Sequence, residues 1–485
     1  MKARLPHPFI MKISQYYCWD ILDYCSEFSK SIFYQDTSKT DINATKLYYV
    51  RGKTIRVTGW GLSYLCYFAC RLASRHSSSK RIKSDLDFLL IYALFDEYHN
   101  HLDGEILRRN RGKTLLYVHC FFGEQQRFQM VKPQYDTLRR TMYMIDTILR
   151  KNYPQIPIDA IFQEKFSLSM REVAAILLAS WTSSVKSHYL WKQFTNTKGL
   201  FVPERTIPVF DYYSTTPEKI KASSIGSQLF YSKPLIKTSD GNYLLSNIYL
   251  YIFTFLEFPY WVIKDYYLQL DSREFTSAYG ECFEIYFKEL LAEYLDSSMY
   301  SRIPEERKKK RADWKLEIGG YKILVEQKSS VASILSKQQF PDIDKTEKFI
   351  SRNWVSAIKQ LSNTERDYND GDYIKMILVA DDYFMDEVLD CAFDVDESCP
   401  DNDGRYWLVS IDMMEVLLHT FKNSPDKFSQ IMDEKNQLEL SHSKDGRDLF
   451  KIINKYGIDK NYHINQSKYS QFLDDIKEEV IKDIS

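Results

Sequence analysis

The residues best suited to chemistry lie between Arg311 and Ser330, in RADWKLEIGGYKILVEQKSS. Gly319-Gly320 predicts a two-residue hairpin turn, because glycine accepts the positive φ that such a turn demands at both positions. A hairpin centred there pairs Ile318 with Tyr321, Leu316 with Ile323 and Trp314 with Val325, an apolar set on one face of the pleat. The other face pairs Glu317 with Lys322 and Lys315 with Leu324. It then sets Asp313 opposite Glu326, with Lys328 two residues further on. Opposed residues have Cβ atoms about 4.5–5.5 Å apart, and like charges there repel. Two carboxylates so close share a proton or bind a cation. Hard oxygen donors suit Mg²⁺, which combines a few carboxylates with waters and phosphate oxygens; Mn²⁺ is the expected substitute. A lysine beside such a cation can orient an attacking water and stabilise charge developing on a phosphate, so the expected reaction is phosphodiester hydrolysis.

The run Asp313…Glu326-Gln327-Lys328 resembles the PD-(D/E)xK signature of the restriction-endonuclease-like nucleases, with Ala312 where the signature carries proline. Ahead of it, GECFEIYFKELL is similar to the first core helix of that fold, where a glutamate after an aromatic residue joins the site. Glu284 matches that position, and Glu281, one turn earlier, is the alternative. The resemblance implies that Asp313 and Glu326 bind the metal together with the Gln327 backbone carbonyl. It also implies that Lys328 is the catalytic lysine and that Gln360, in SAIKQLSN, supports it. It covers roughly residues 275–420. The activity so implied is that of a Mg²⁺-dependent endonuclease, with DNA favoured over RNA, of the kind used in bacterial restriction or anti-phage defence. An activating protein partner or a homodimer is a further expectation. The alternatives are an RNA-cleaving nuclease and a catalytically silent scaffold bridging nucleic acid and a partner subunit. Other ExK-like triplets, at 306–308 and 433–435, lie on no strand of alternating apolar residues.

The elements that must hold these residues are legible in the spacing of apolar side chains. The overall class expected is α+β. A mostly helical region spans 1–225, with helical patterns at 62–72, 86–98, 135–149 and 170–181. Residues 226–270 read as a β-hairpin about Asp240-Gly241 followed by an aromatic helix. Residues 271–420 read as a restriction-endonuclease-like α/β domain with a mixed central sheet. Its elements are a helix at 277–295, the hairpin at 312–328, a helix near 344–365, a strand at 374–380, and a strand at 406–411 leading into a helix. The stretch 381–404 holds ten acidic residues and no basic one, which predicts an exposed insertion. A helical tail occupies 421–485.

Composition excludes several classes. Gly (16) and Pro (14) are scarce in a chain of 485 residues, against collagen-like or linker-rich architectures. Residues 1–150 carry 23 Lys and Arg against 14 Asp and Glu, a net of +9, so the remainder carries −10 to reach the chain's −1. A basic front suits a polyanion or intramolecular docking. The run Arg307-Lys308-Lys309-Lys310-Arg311, next to the carboxylates, is the expected contact to a phosphate backbone. Lys80-Arg81-Ile82-Lys83, Arg108-Arg109-Asn110-Arg111-Gly112-Lys113 and Arg139-Arg140 would extend that track. The eight cysteines form no CxxC pair, and Cys66 and Cys70 read as small core residues rather than zinc ligands. Residues 248–263 are apolar but interrupted by Glu257 and Pro259, so they predict a buried helix and no membrane span. With no apolar leader at the start, a cytoplasmic location is expected. Arg-Gly-Lys-Thr occurs at 51–54 and 111–114 and imitates a phosphate-binding loop. The second copy has Leu107 where that loop needs glycine, and a strand-like run at 115–122 follows it. Asp96–His101 gathers potential ligands without HExxH spacing and reads as a polar helix end.

Overall fold

The computed structural model describes residues 7–34, 44–109, 135–184, 199–223, 229–304, 310–331, 343–380, 388–396, 398–443 and 446–458. It also describes Leu116, Val118, Phe128, Ser187, Tyr189, Leu190, Asp475 and Glu478. The chain is of the α+β class, as its spacing predicts.

Helices α1 (Cys18–Phe33), α2 (Gly59–Leu72) and α3 (Asp85–Arg109) open the helical region. The Thr58 hydroxyl caps α2 by accepting the Gly61 N–H at 3.0 Å. Cys66 and Cys70 are buried in α2 facing Cys25 and Cys18 of α1, and burial pushes both thiols up, as inert core residues. Between α1 and α2 the mostly helical region is interrupted by strands. Strands β1 (Thr45–Val50) and β2 (Lys53–Thr58) form an antiparallel hairpin in which Arg51 and Gly52 both take positive φ, 48° and 77°. The first Arg-Gly-Lys-Thr is therefore a hairpin tip. Its second copy and the run at 115–122 lie outside the described residues, save Leu116 and Val118. The segment 96–101 is part of α3, where His99 is buried.

Next come α4 (Tyr135–Met142), which continues into a π-helical stretch at Tyr143–Leu149, and α5 (Met170–Ser184). A small sheet joins β3 (Ser214–Thr215), β4 (Leu235–Lys237) and β5 (Tyr243–Leu245), with β4 and β5 antiparallel about the expected Asp240-Gly241 turn. Helix α6 (Ile248–Gln269) follows, buried along most of its first four turns. Among the described residues no helix is long and apolar enough to cross a membrane.

The second half is built on α7 (Glu274–Tyr294) and a five-stranded sheet of β6 (Tyr300–Arg302), β7 (Trp314–Ile318), β8 (Tyr321–Lys328), β9 (Ile374–Val379) and β10 (Tyr406–Ser410). Its spatial order is β10-β9-β8-β7-β6. Strands β8, β9 and β10 are parallel, while β7 is antiparallel to both β6 and β8. The crossover from β8 to β9 runs through α8 (Ile343–Ile350), a π-helical turn at Ser351–Val355 and α9 (Ser356–Tyr368). The other elements are α10 (Val388–Val395), α11 (Ile411–Asn423), α12 (Pro425–Leu440) and α13 (Leu449–Lys455).

Two buried apolar clusters hold this frame. The larger includes Trp314, Leu316, Ile318, Ile323 and Val325 on one face of the sheet and continues through α7 into the N-terminal helices and the tail. The smaller covers the opposite face, where Leu324 and Ile377 meet Ile358 and Leu361 of α9. Being covered on both faces explains the apolar runs at 323–325 of β8 and 376–379 of β9. The acidic segment 381–404 departs from its expected exposure. Leu389, Cys391 and Ala392 of α10 are buried in the smaller cluster, an apolar stripe outnumbered by the acidic side chains around it.

Candidate functional site

The hairpin register is the one the glycines impose. Gly319 and Gly320 take φ of 57° and 87°, and the ladder pairs Ile318 with Tyr321 through Trp314 with Val325. A Cβ at Gly319 would also lie 3.0 Å from the Phe428 ring, so the position excludes side chains twice over.

The ladder stops one residue short of the expected Asp313–Glu326 opposition. Asp313 lies outside β7, and its N–H turns in to the Val325 carbonyl at 2.9 Å. Trp314 already faces that residue, so two residues stand against one, the arrangement of a β-bulge, which re-aims a side chain and bends the strand. Edge strand β6 helps hold the bend, because the N–H of the following residue, Ile303, donates to the Asp313 carbonyl at 2.9 Å. Asp313 Oδ2 accepts the Gln327 N–H at 2.7 Å, a donor the next ladder residue would otherwise have taken. In a strand the carbonyl and N–H of one residue point the same way, so the Gln327 carbonyl flanks Asp313 too. The Gln327 side chain goes to the other face. It accepts from Trp314 Nε1 at 2.7 Å and donates to the Phe283 carbonyl at 3.3 Å, tying β8 to α7.

Glu326 and Lys328 share the face that looks at α9. Lys328 Nζ donates to Glu326 Oε1 at 2.6 Å and to Gln360 Oε1 at 3.3 Å. Gln360 is itself fixed: Ser356 Oγ donates to its Oε1 at 3.1 Å, and its Nε2 donates to the Arg311 carbonyl at 3.2 Å. Glu326 is only 2% exposed, and among the described residues its Oε2 has no hydrogen-bond partner. Burial, and then the nearby Asp313 charge, push the Glu326 carboxyl up to about 8, against the opposing pull of Lys328 and Gln360. Asp313 is also raised, first by burial and then by Glu284, with the Gln327 N–H opposing.

Glu284 is thus the glutamate whose charge reaches Asp313. It is bound at 2.6 Å by Arg302 of β6, whose cation also bears on Asp313. Glu281 is engaged elsewhere, accepting a short hydrogen bond from the Tyr153 hydroxyl. Of the five-cation run, 307–309 lie outside the described residues. Lys310 is exposed, whereas Arg311 is paired with Asp367 of α9 at 2.8 Å, which corrects its reading as an open phosphate contact.

Two supporting residues escaped the sequence reading. Arg302 sits on a three-residue edge strand too short to show alternation. Thr364 is buried on α9, accepts the Ala312 N–H at 2.8 Å and donates to the Gln360 carbonyl at 2.7 Å. Its spacing of four from Gln360 was the available signal.

Among the described residues no three His, Cys, Asp or Glu side chains converge as a ready-made metal site. The fit to Mg²⁺ rests on a smaller donor set: the unpartnered Glu326 Oε2, the Asp313 carboxylate and the adjoining Gln327 carbonyl. Those are hard oxygens, and Mg²⁺ completes its shell with water and substrate oxygens. No known protein family, curated protein or solved structure matches this chain.

Proposed function

We propose that the chain is a divalent-metal-dependent nuclease that hydrolyses phosphodiester bonds, in DNA before RNA, at the Asp313–Glu326 pair. The observation that carries this reading is the buried Glu326 Oε2, which has no hydrogen-bond partner among the described residues although a lysine holds the other oxygen of the same carboxylate. An isolated buried carboxylate atom is costly, and a cation relieves it. Mg²⁺ or Mn²⁺, held by Asp313, Glu326 and the Gln327 carbonyl, supplies Lewis acidity toward a phosphate oxygen. Gln360 and Glu326 fix the Lys328 ammonium, which then needs no reorganisation to face an attacking water or a charged phosphate. Glu284 adds negative charge beside Asp313 and is a positioning residue, since Arg302 holds it. A helix, an antiparallel hairpin and parallel strands joined by helical crossovers, in that order, support the restriction-endonuclease-like reading.

The test compares wild type with Lys328→Ala on plasmid DNA, linear DNA and RNA, in Mg²⁺, Mn²⁺ or EDTA. Cleavage that requires metal and falls at least 100-fold in the variant is expected. Absence of metal-dependent cleavage, together with no Asp313-dependent Mg²⁺ binding by calorimetry with nucleic acid present, would replace the enzyme with a silent scaffold.

A further inference from the structure

Immediately past Lys328, Ser329 forms part of the wall of a cleft of about 480 Å³. It lies beyond the carboxyl end of β8, where open sheets with parallel strands take their ligands. The cleft is lined by Lys264 of α6, Lys345 and Lys348 of α8, and Arg352 of the π-helical turn; no carboxylate is among the described residues that line it. Lys345, Lys348 and Arg352 are exposed and spaced by three and four residues, so they share a helix face. Asp344 and Glu347, on the same helix, do not line the cleft. Aromatic surface comes from the half-buried Phe349, while Tyr260 is buried with the Lys264 ammonium against its ring. The walls can approach because α7 carries Gly280 opposite Ser329, where a Cβ would come within 3.0 Å of the serine hydroxyl.

Cations on the walls of a concavity with an aromatic face beside them, and no carboxylate among its described lining residues, are features that bind single-stranded nucleic acid. The cations track phosphates, and the rings take bases of any sequence. A cavity of this size admits a small group of atoms rather than a duplex. We propose that this cleft threads a single nucleic-acid strand toward the Asp313–Glu326 pair, with Lys264, Lys345, Lys348 and Arg352 on its phosphates. The connecting helix α6 thereby supplies part of the substrate path through Lys264. The proposal takes its direction from the nuclease reading, but the binding it predicts does not depend on catalysis.

The experiment uses wild-type protein in EDTA and follows fluorescence anisotropy of a labelled single-stranded 20-mer and its blunt duplex at several salt concentrations. The single strand is expected to bind at least ten-fold more tightly than the blunt duplex. Lys348→Ala with Arg352→Ala should flatten the slope of log K against log salt by about 1.4, as about 0.7 is lost per single-strand phosphate contact. Lys264→Met should remove about half as much, and both substitutions leave the apolar core untouched. An unchanged slope and affinity in these variants would overturn the proposal. So would a duplex bound as tightly as the single strand, or a free mononucleotide competing as well as the 20-mer. Metal-dependent cleavage and Asp313-dependent Mg²⁺ binding are read separately. If both are absent while the slopes change as stated, the nuclease reading fails and the cleft stands; cleavage with unchanged slopes is the converse.

Discussion

At the scale of single residues, the Glu326 carboxyl governs how the site responds to pH. It titrates near its ordinary value of 4.5 when unfolded and at about 8 when folded. Between those values the folded chain holds a proton that the unfolded chain lacks. Its contribution to stability is therefore complete below about pH 4.5 and is lost as the pH rises toward 8. Asp313, raised for the same first reason, adds in the same direction. Metal-free wild type is expected to lose melting temperature from pH 5.5 to 8 relative to Glu326→Gln, and saturating Mg²⁺ should cancel that loss. Because binding expels the proton, Mg²⁺ affinity should rise about ten-fold per pH unit up to about pH 7 and level off past about 8. Calorimetry showing an affinity independent of pH would mean that the pair is already ionised in the free protein.

Among the elements, α9 does more than cover the sheet. Through Gln360 it holds Lys328 and the Arg311 carbonyl, and through Thr364 it holds the Ala312 N–H. Those bonds fix both sides of the peptide that leads into the Asp313 bulge. A proline at 312, as in the signature that this run resembles, would have no N–H to give, so Ala312 and Thr364 form an anchor of their own. Thr364→Val leaves the Ala312 N–H buried without an acceptor, and a loss of about 1–3 kcal/mol is expected by denaturant unfolding. Ala312→Pro should cost less in the Thr364→Val background than in wild type, because the donor is then already without its partner. Strictly additive effects in that double-mutant cycle would show that the two residues do not cooperate.

Across the whole molecule, buried charge ties the helical region to the sheet. Arg140 of α4 reaches Asp412 at 2.7 Å and Glu415 at 2.9 Å on α11, and the Tyr286 hydroxyl of α7 donates to Glu415 at 2.6 Å. The two carboxylates hold the guanidinium protonated in spite of its burial. Arg140→Met would leave Asp412 and Glu415 enclosed without their cation, and a loss of about 3–5 kcal/mol is expected. Replacing Asp412 and Glu415 as well, by Asn and Gln, should recover part of it. A thermal scan in which Arg140→Met matches wild type would show that the regions are joined by apolar contact alone.

Much of the site was legible in one dimension because a hairpin is a local object. Gly319-Gly320 sets the register, and alternation assigns Glu326 and Lys328 to one face from residues fewer than twenty apart. The helices that carry Glu284 and Gln360 announce themselves by period for the same reason. Chain order could not reveal the bulge at Asp313, since it arises where β7 meets both β8 and an edge strand of three residues. Nor could it foresee that Arg311 would pair with Asp367, or choose Glu284 over Glu281. Those outcomes depend on which distant groups share a volume. Tyr153 takes Glu281, Arg302 holds Glu284, and Glu326 is buried on the sheet face that α9 covers. Local spacing sets which residues are neighbours along an element; desolvation and charge pairing are set only when elements from distant parts of the chain close over one another.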